Sequence, residues 1–142
     1  MRFWDASALV PTFLEETSTP EVRTWQAADP GVTIWMMTRV EVISAIARKK
    51  REWPELAAVW GRAIRELHQA ASTWTQISDA VAARLHAERI VMEHPLPTAD
   101  ALQLGAALVA ADGEPQSLEL VTLDRRLADA ARREGFPVLG IR

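Results

Sequence analysis

This chain of 142 residues lacks cysteine and long apolar runs, and each absence excludes a class of site or segment. There is no cysteine, which excludes disulfides, cysteine-based zinc sites, iron–sulfur clusters and thiol nucleophiles. No run of about 18 uncharged apolar residues occurs, so the sequence predicts no membrane-spanning helix. Residues 1–5 (MRFWD) place charges ahead of any signal-peptide core, and we expect a cytoplasmic protein.

Lysine is also rare, because nearly all of the 16 basic residues are arginines. Lys49 and Lys50 are the only lysines, and the net charge is −3. A small negative charge is not typical of a protein that binds nucleic acid by electrostatics alone.

The hydrophobic residues, 49% of the chain, alternate between strand-like and helix-like spacing. Strands are predicted at 3–4, 32–37, 74–77, 118–123 and 138–141, and the segments between them show helical periodicity. Alternating strands and helices imply right-handed crossovers and a parallel sheet covered on both faces. The sequence therefore predicts one α/β domain over residues 1–142, a three-layer α/β/α sandwich around a parallel sheet of four to five strands.

Four acidic residues fall at one end of the predicted strands. Asp5 and Asp124 directly follow strands, whereas Glu41 and Asp100 lie in the first turns of helices. In open α/β sheets this edge, at the carboxyl ends of the strands, is where ligands bind. Carboxylates that share an edge repel one another unless a cation lies between them, and Mg²⁺ and Mn²⁺ prefer carboxylate oxygens. The pattern predicts a site for one or two divalent ions.

Each acid also has a purely structural interpretation. Residues 38–41 (TRVE) match a capping box, in which Glu41 accepts a bond from a backbone N–H at the start of the helix. Asp5 and Asp124 suit helix N-caps, and Asp100 is a first-turn acid favoured by the helix dipole. Capping is the commoner role of any one of them, and it is their shared edge that favours a metal site.

Four segments around these acids resemble, in order and spacing, the acidic motifs of PIN-domain ribonucleases. They are 3–10 (FWDASALV), 38–42 (TRVEV), 97–104 (PTADALQL) and 120–127 (LVTLDRRL). Within that family the chain is most similar to the VapC toxins of bacterial VapBC toxin–antitoxin pairs, and the resemblance runs from Phe3 to Leu139. Two positions depart from the pattern, because Gln103 stands where relatives often have His and Trp4 where Tyr or Leu is more usual.

The resemblance implies a Mg²⁺- or Mn²⁺-dependent endoribonuclease that forms a homodimer and is inhibited by a VapB-type antitoxin. It implies four metal-binding catalytic acids, Asp5, Glu41, Asp100 and Asp124, and two supporting hydroxyls, Ser7 and Thr122. The residues suit this chemistry, because a metal-bound water can attack RNA without a side-chain base. Setting the four acids aside changes the net charge from −3 to +1, which weakens the argument against nucleic acid.

The arginines nearest the acids in sequence are Arg39, Arg125 and Arg126, and we expect them to contact RNA phosphates. A second basic cluster, at 48–51 (RKKR), ends the third predicted helix. There it either complements the helix dipole or contacts RNA.

Two other functions remain open from the sequence. One is a PIN-like module that binds RNA or a partner protein with little catalysis, and the other is a small metal-dependent phosphohydrolase. Ser7 stands where an aspartyl-nucleophile phosphatase needs a second Asp, and no lysine follows a late strand as in receiver-type domains. The three histidines lack zinc-site spacing, so we expect them to be structural.

Overall fold

A computed structural model describes residues 1–141; Arg142, the last residue of the predicted domain, lies outside the described residues. Five strands alternate with seven helices. The strands are β1 (Arg2–Trp4), β2 (Val32–Trp35), β3 (Thr75–Ile77), β4 (Glu119–Thr122) and β5 (Val138–Gly140). The helices are α1 (Ala6–Phe13), α2 (Thr19–Ala27), α3 (Thr38–Glu52), α4 (Ala57–Ala71), α5 (Ala80–Glu93), α6 (Thr98–Ala111) and α7 (Arg125–Arg133). None of these helices is long and apolar enough to span a bilayer.

The five strands are parallel and form one sheet in the order β3-β2-β1-β4-β5. From β1 the chain moves outward through β2 to β3, and it then returns to the other side of β1 to form β4 and β5. The direction of winding therefore reverses between β1 and β4. In open α/β sheets such a switch point leaves a crevice at the carboxyl ends of the strands, where ligands bind.

Helices cover both faces of the sheet, and the alternation of side chains along the strands divides the core in two. Phe3 and Leu120 pack with α5, α6 and α7 on one face, whereas Trp4 and Val121 pack with α1 to α4 on the other. All four side chains are completely buried. The predicted three-layer α/β/α sandwich is confirmed, with the strand number at the upper end of the expected range.

The observed strand bounds differ from the predicted ones by one or two residues, and the largest difference is at the end of the second strand. The second strand was expected to extend to residue 37, but β2 ends at Trp35 and the next two residues form the turn into α3. After α3, Pro54 opens a short 3₁₀ turn (Pro54–Leu56), and α4 begins at Ala57.

Helix α6, which carries Asp100 of the predicted site, packs closely against α5. Gly105 of α6 lies against the backbone of Ala83 in α5, and a Cβ at residue 105 would overlap the carbonyl oxygen of Ala83. The same helix α6 carries Asp100 in its first turn.

Candidate active site

Asp5 is the most deeply buried of the four predicted acids, with 4% of its surface exposed. It directly follows β1, and its backbone N–H donates to the carbonyl oxygen of Val121 in β4 at 3.0 Å, so it lies at the switch point of the sheet. Its Oδ2 accepts a bond from the backbone N–H of Ser7 at 3.2 Å and caps α1. The structural interpretation of Asp5 as an N-cap is therefore correct, but the side chain makes further contacts.

Two hydroxyl groups bond to the same oxygen of Asp5. Ser7 Oγ donates to Asp5 Oδ2 at 2.5 Å, and Thr122 Oγ1 donates to it at 2.9 Å. Each hydroxyl also accepts a backbone N–H, from Leu123 at 2.9 Å and from Asp124 at 3.0 Å respectively. These backbone bonds leave the hydroxyl protons free to point at Asp5. The two predicted supporting residues thus lie in direct contact with the buried carboxylate.

The second oxygen of Asp5 has a partner that the sequence analysis missed. Gln103 Nε2 donates to Asp5 Oδ1 at 2.9 Å, and Gln103 Oε1 accepts a bond from Thr38 Oγ1 at 3.0 Å. Gln103 and Thr38 are 1% and 0% exposed. One signal was available: Gln103 is a lone polar residue within the apolar segment 101–108 (ALQLGAAL), and a buried amide needs hydrogen-bond partners.

The contact between Thr38 and Gln103 overturns the capping-box interpretation of residues 38–41. Thr38 is the first residue of α3 rather than its cap, and Met37, at the N-cap position, makes no side-chain capping bond. The hydroxyl of Thr38 donates to Gln103 instead. Glu41 is therefore not part of a capping box.

The other three acids lie partly buried around Asp5. Glu41 occupies the first turn of α3 and Asp100 the first turn of α6. Asp124 caps α7, where its Oδ1 accepts a bond from the backbone N–H of Leu127 at 3.0 Å. The charge of Asp5 acts on Glu41 and Asp100, and the charge of Asp124 acts on Asp100. The structure brings all four predicted acids to one edge of the sheet.

Burial and mutual repulsion raise the pKa of three of these carboxyls. Burial raises the pKa of Asp5, against hydrogen bonds that favour its charged form. Burial, then the charges of Asp5 and Asp100, raise the pKa of Glu41 to about 7. Burial, then the charges of Asp5 and Asp124, raise the pKa of Asp100 to about 6, and Arg126 acts in the opposite direction. The site therefore has negative charge that its own residues compensate incompletely, which a bound cation would relieve.

The donors at this edge are of the kind that hard divalent cations prefer, but they are not drawn into a tight cage. Within residues 1–141, ligand atoms of three acidic or histidine residues come within 4.8 Å of one another only at Glu93, His94 and Glu134. An ion bound by three of these carboxylates would need their side chains to move closer together, whereas an ion bound by one or two of them would have water completing its shell. This is the usual way in which proteins hold Mg²⁺.

The cluster of Glu93, His94 and Glu134 is occupied by an arginine. Arg89 donates to both carboxylate oxygens of Glu134, at 3.0 and 2.7 Å, and to Glu93 at 2.7 Å. His94 Nε2 lies 2.7 Å from Glu134 Oε1, and the hydrogen bonds from Arg89 lower the pKa of Glu134. Since the guanidinium already satisfies these carboxylates, the cluster is a salt-bridge network that ties the end of α5 to the end of α7.

The three arginines expected to contact RNA have different surroundings. Arg126 is exposed and lies near enough to Asp100 to lower the pKa of that carboxyl. Arg125 is exposed beside it at the start of α7. Arg39 is partly buried, and its Nη2 lies 2.8 Å from Nδ1 of His68 in α4, so its guanidinium is engaged by a neighbouring helix.

Comparison with known proteins identifies the fold but no sequence family. No family model matches the sequence, and no curated protein matches it significantly. Solved structures that match include a toxin–antitoxin complex from Klebsiella pneumoniae, with a TM-score of 0.68 and 20% identity over 98% of this chain and 96% of that chain. PAE2754 from Pyrobaculum aerophilum matches with a TM-score of 0.66 and 22% identity over 91% of this chain and 83% of that chain. FitAcB from Neisseria gonorrhoeae matches with a TM-score of 0.59 and 18% identity over 99% of this chain and 97% of that chain.

Proposed function

We propose that this protein is the toxin of a toxin–antitoxin pair and acts as a VapC-type endoribonuclease that depends on Mg²⁺ or Mn²⁺. The observation that carries the proposal is the group of four acids at the switch point, centred on buried Asp5, with raised pKa values at three of them. Two findings support it. The fold is that of a chain from a toxin–antitoxin complex, and the four acidic segments resemble the motifs of PIN-domain ribonucleases.

The acids at the sheet edge would hold Mg²⁺ or Mn²⁺, which when bound would supply an activated water and neutralise charge on the scissile phosphate. Asp5 would be the central ligand, with Asp100 and Asp124 completing the set. Ser7, Thr122 and Gln103 hold the Asp5 carboxylate in one orientation and favour its charged form.

Glu41 and Arg126 would also take part in the proposed reaction, although neither contacts buried Asp5 through a hydrogen bond. Glu41, with a pKa of about 7, would ligate or orient the attacking water. Arg126, beside Asp100, would contact the phosphate.

The proposed partners follow from the same reasoning. The solved Klebsiella chain belongs to a toxin–antitoxin complex, and we propose a VapB-type antitoxin as the inhibitor of this protein. A homodimer and a cytoplasmic location are proposed from the resemblance and from the sequence.

The test is cleavage of structured RNA by the purified protein with Mg²⁺ or Mn²⁺, compared with Asp5→Asn. We expect the wild type to leave 5′-phosphate and 3′-hydroxyl ends, and Asp5→Asn to lose activity by more than about 100-fold while keeping the helical circular dichroism of the wild type. Glu15→Gln is the matched control, because it also removes one carboxylate but at an exposed position two residues after α1. An active Asp5→Asn protein would contradict the proposal.

The same experiment separates the alternative functions. Binding of Mn²⁺ and RNA without cleavage identifies a binding module, and hydrolysis of phosphomonoesters without cleavage of RNA identifies a phosphohydrolase. Cyclic-phosphate ends would indicate a metal-independent mechanism.

A further inference from the structure

A groove between α1 and α3 leads away from the acids. Ser7 and Val10 line its α1 side, and Glu41, Ser44 and Arg48 line its α3 side, around a cavity of about 460 Å³. We call this cavity the inner groove. Glu41, Ser44 and Arg48 are spaced by about one helical turn, so they share one face of α3. Since a helix rises about 1.5 Å per residue, Arg48 lies about 10 Å along the helix axis from Glu41.

Arg48 and Glu41 are the charged residues among those that line the inner groove. Within residues 1–141, no carboxylate lies within 4.0 Å of the Arg48 guanidinium. Its neighbour Lys49, in contrast, pairs with Glu52 at 3.9 Å. Arg48 is therefore an exposed, unpaired cation at the end of a groove that begins at the acidic edge.

A second cavity of about 330 Å³ adjoins the inner groove and shares Ser7, Val10 and Arg48 with it. This cavity adds two carboxylates, Glu16 and Glu52, and one cation, Lys49, which is already paired with Glu52. A polyanion therefore gains less in the second cavity than at Arg48, which is unpaired. We expect a negatively charged strand to follow the inner groove as far as Arg48.

We propose that the inner groove is a phosphodiester-binding subsite, in which Arg48 binds a backbone phosphate of the RNA strand next to the phosphate that is cleaved. This inference rests on the proposed nuclease function and assigns the path that the strand takes. A guanidinium presents two parallel N–H groups that match two phosphate oxygens. Because the contact is made to the backbone and not to a base, Arg48 supplies affinity and register without sequence preference.

The test uses two alanine variants from the same basic cluster. Arg48→Ala removes the groove cation, and Arg51→Ala removes an equal charge from an exposed position of α3 that does not line the inner groove. Both are introduced into the full chain carrying Asp5→Asn, so that RNA binds without being cut. Fluorescence anisotropy then measures the affinity for a labelled single-stranded RNA in Mg²⁺, with circular dichroism to verify folding.

We expect Arg48→Ala to weaken RNA binding by about 10- to 100-fold, because a charge-assisted hydrogen bond is lost. The slope of log affinity against log salt should fall in magnitude by about 0.7, as for one phosphate contact on a single strand. Arg51→Ala should change affinity by less than about threefold. Arg48→Lys, which keeps the charge but not the paired donors, should have intermediate affinity.

Cleavage by the same variants without Asp5→Asn distinguishes failure of this inference from failure of the proposed function. We expect Arg48→Ala to raise KM while kcat stays within about threefold of the wild type, since backbone contacts mainly position the strand. Equal RNA binding by Arg48→Ala and Arg51→Ala, in a protein that still cleaves RNA, would overturn the inference and leave the proposed function intact. A wild-type protein that neither binds nor cleaves RNA would overturn both.

Discussion

Replacing Gln103 with leucine removes the side chain that links Asp5 to Thr38. The amide donates to Asp5 at 2.9 Å and accepts from Thr38 at 3.0 Å, and all three side chains are buried. Gln103→Leu therefore leaves the Thr38 hydroxyl without its acceptor and Asp5 Oδ1 without its donor. Leucine has a similar volume, so the change is chiefly one of polarity.

The size of the effect follows from these two lost bonds. A buried hydroxyl left without a partner costs about 1–3 kcal/mol, and a bond to a charged carboxylate contributes about 1.5–3 kcal/mol. Burial of the apolar leucine offsets part of this loss. We expect a net decrease of about 1–3 kcal/mol in the free energy of unfolding. Because Gln103 orients the proposed metal ligand, Mn²⁺ affinity should also fall by about 10-fold or more.

Urea denaturation and calorimetric Mn²⁺ titration measure the two effects separately. Thr38→Val is the matched variant, because it leaves Gln103 Oε1 unpaired but keeps the bond from Gln103 to Asp5. It should destabilise the protein and leave Mn²⁺ affinity nearly unchanged. The double variant removes both ends of the Thr38–Gln103 bond, so its destabilisation should be smaller than the sum of the single effects by about 1 kcal/mol. Additive effects, or unchanged Mn²⁺ affinity in Gln103→Leu, would refute this reasoning.

Two further predictions concern stability. The pKa values of Glu41 and Asp100 in the folded protein are raised to about 7 and about 6. The protonated carboxyls therefore stabilise the folded protein fully below the pKa values of the unfolded chain, near pH 4. This stabilisation is lost as the pH rises to about 7. The denaturation midpoint of the metal-free protein should therefore decrease as the pH is raised from about 4 to about 7, and the decrease should be smaller in Glu41→Gln or with millimolar Mn²⁺. A midpoint that increases over this pH range would contradict the prediction. Gly105→Ala should lower the free energy of unfolding by about 1–3 kcal/mol because its Cβ meets the Ala83 carbonyl. The control is Gly61→Ala in α4, where the added Cβ approaches only the Arg65 side chain. Gly61→Ala should raise the free energy of unfolding by up to about 1 kcal/mol. Equal changes of melting temperature in the two variants would show that the close contact at Gly105 carries no cost.

The fold was predictable because it depends on patterns that are local in the sequence. Strand-like and helix-like spacing identified every strand, and parallel topology then required Asp5 and Asp124 to reach the same edge. The N-caps at these two residues were predictable for the same reason, since a cap depends on a few neighbouring residues.

The contacts that complete the site were not predictable, because they join distant parts of the chain. Thr38 and Gln103 are 65 positions apart, and Gln103 and Asp5 are 98 apart. Residues 38–41 satisfied a local capping pattern, but a tertiary partner took the Thr38 hydroxyl. Arg39 lies two positions before Glu41 in the sequence, yet its side chain contacts His68 in another helix. The sequence motifs resemble those of one protein family. Comparison with solved structures at 18–22% identity establishes the fold but not that family.

The hydrogen bond between Asp5 and Thr122 spans 117 positions, which has a consequence for synthesis of the protein on the ribosome. Asp5 leaves the exit tunnel 117 residues ahead of Thr122, and β1 remains without its β4 neighbour until residues 119–122 have also emerged. The centre of the site is therefore assembled late. On the function proposed above, a nascent chain could not cut the messenger that encodes it, or other RNA near the ribosome, before residues 119–124 have emerged. A chain that terminated before Thr122 would lack two groups of the proposed site, and we expect it to be inactive.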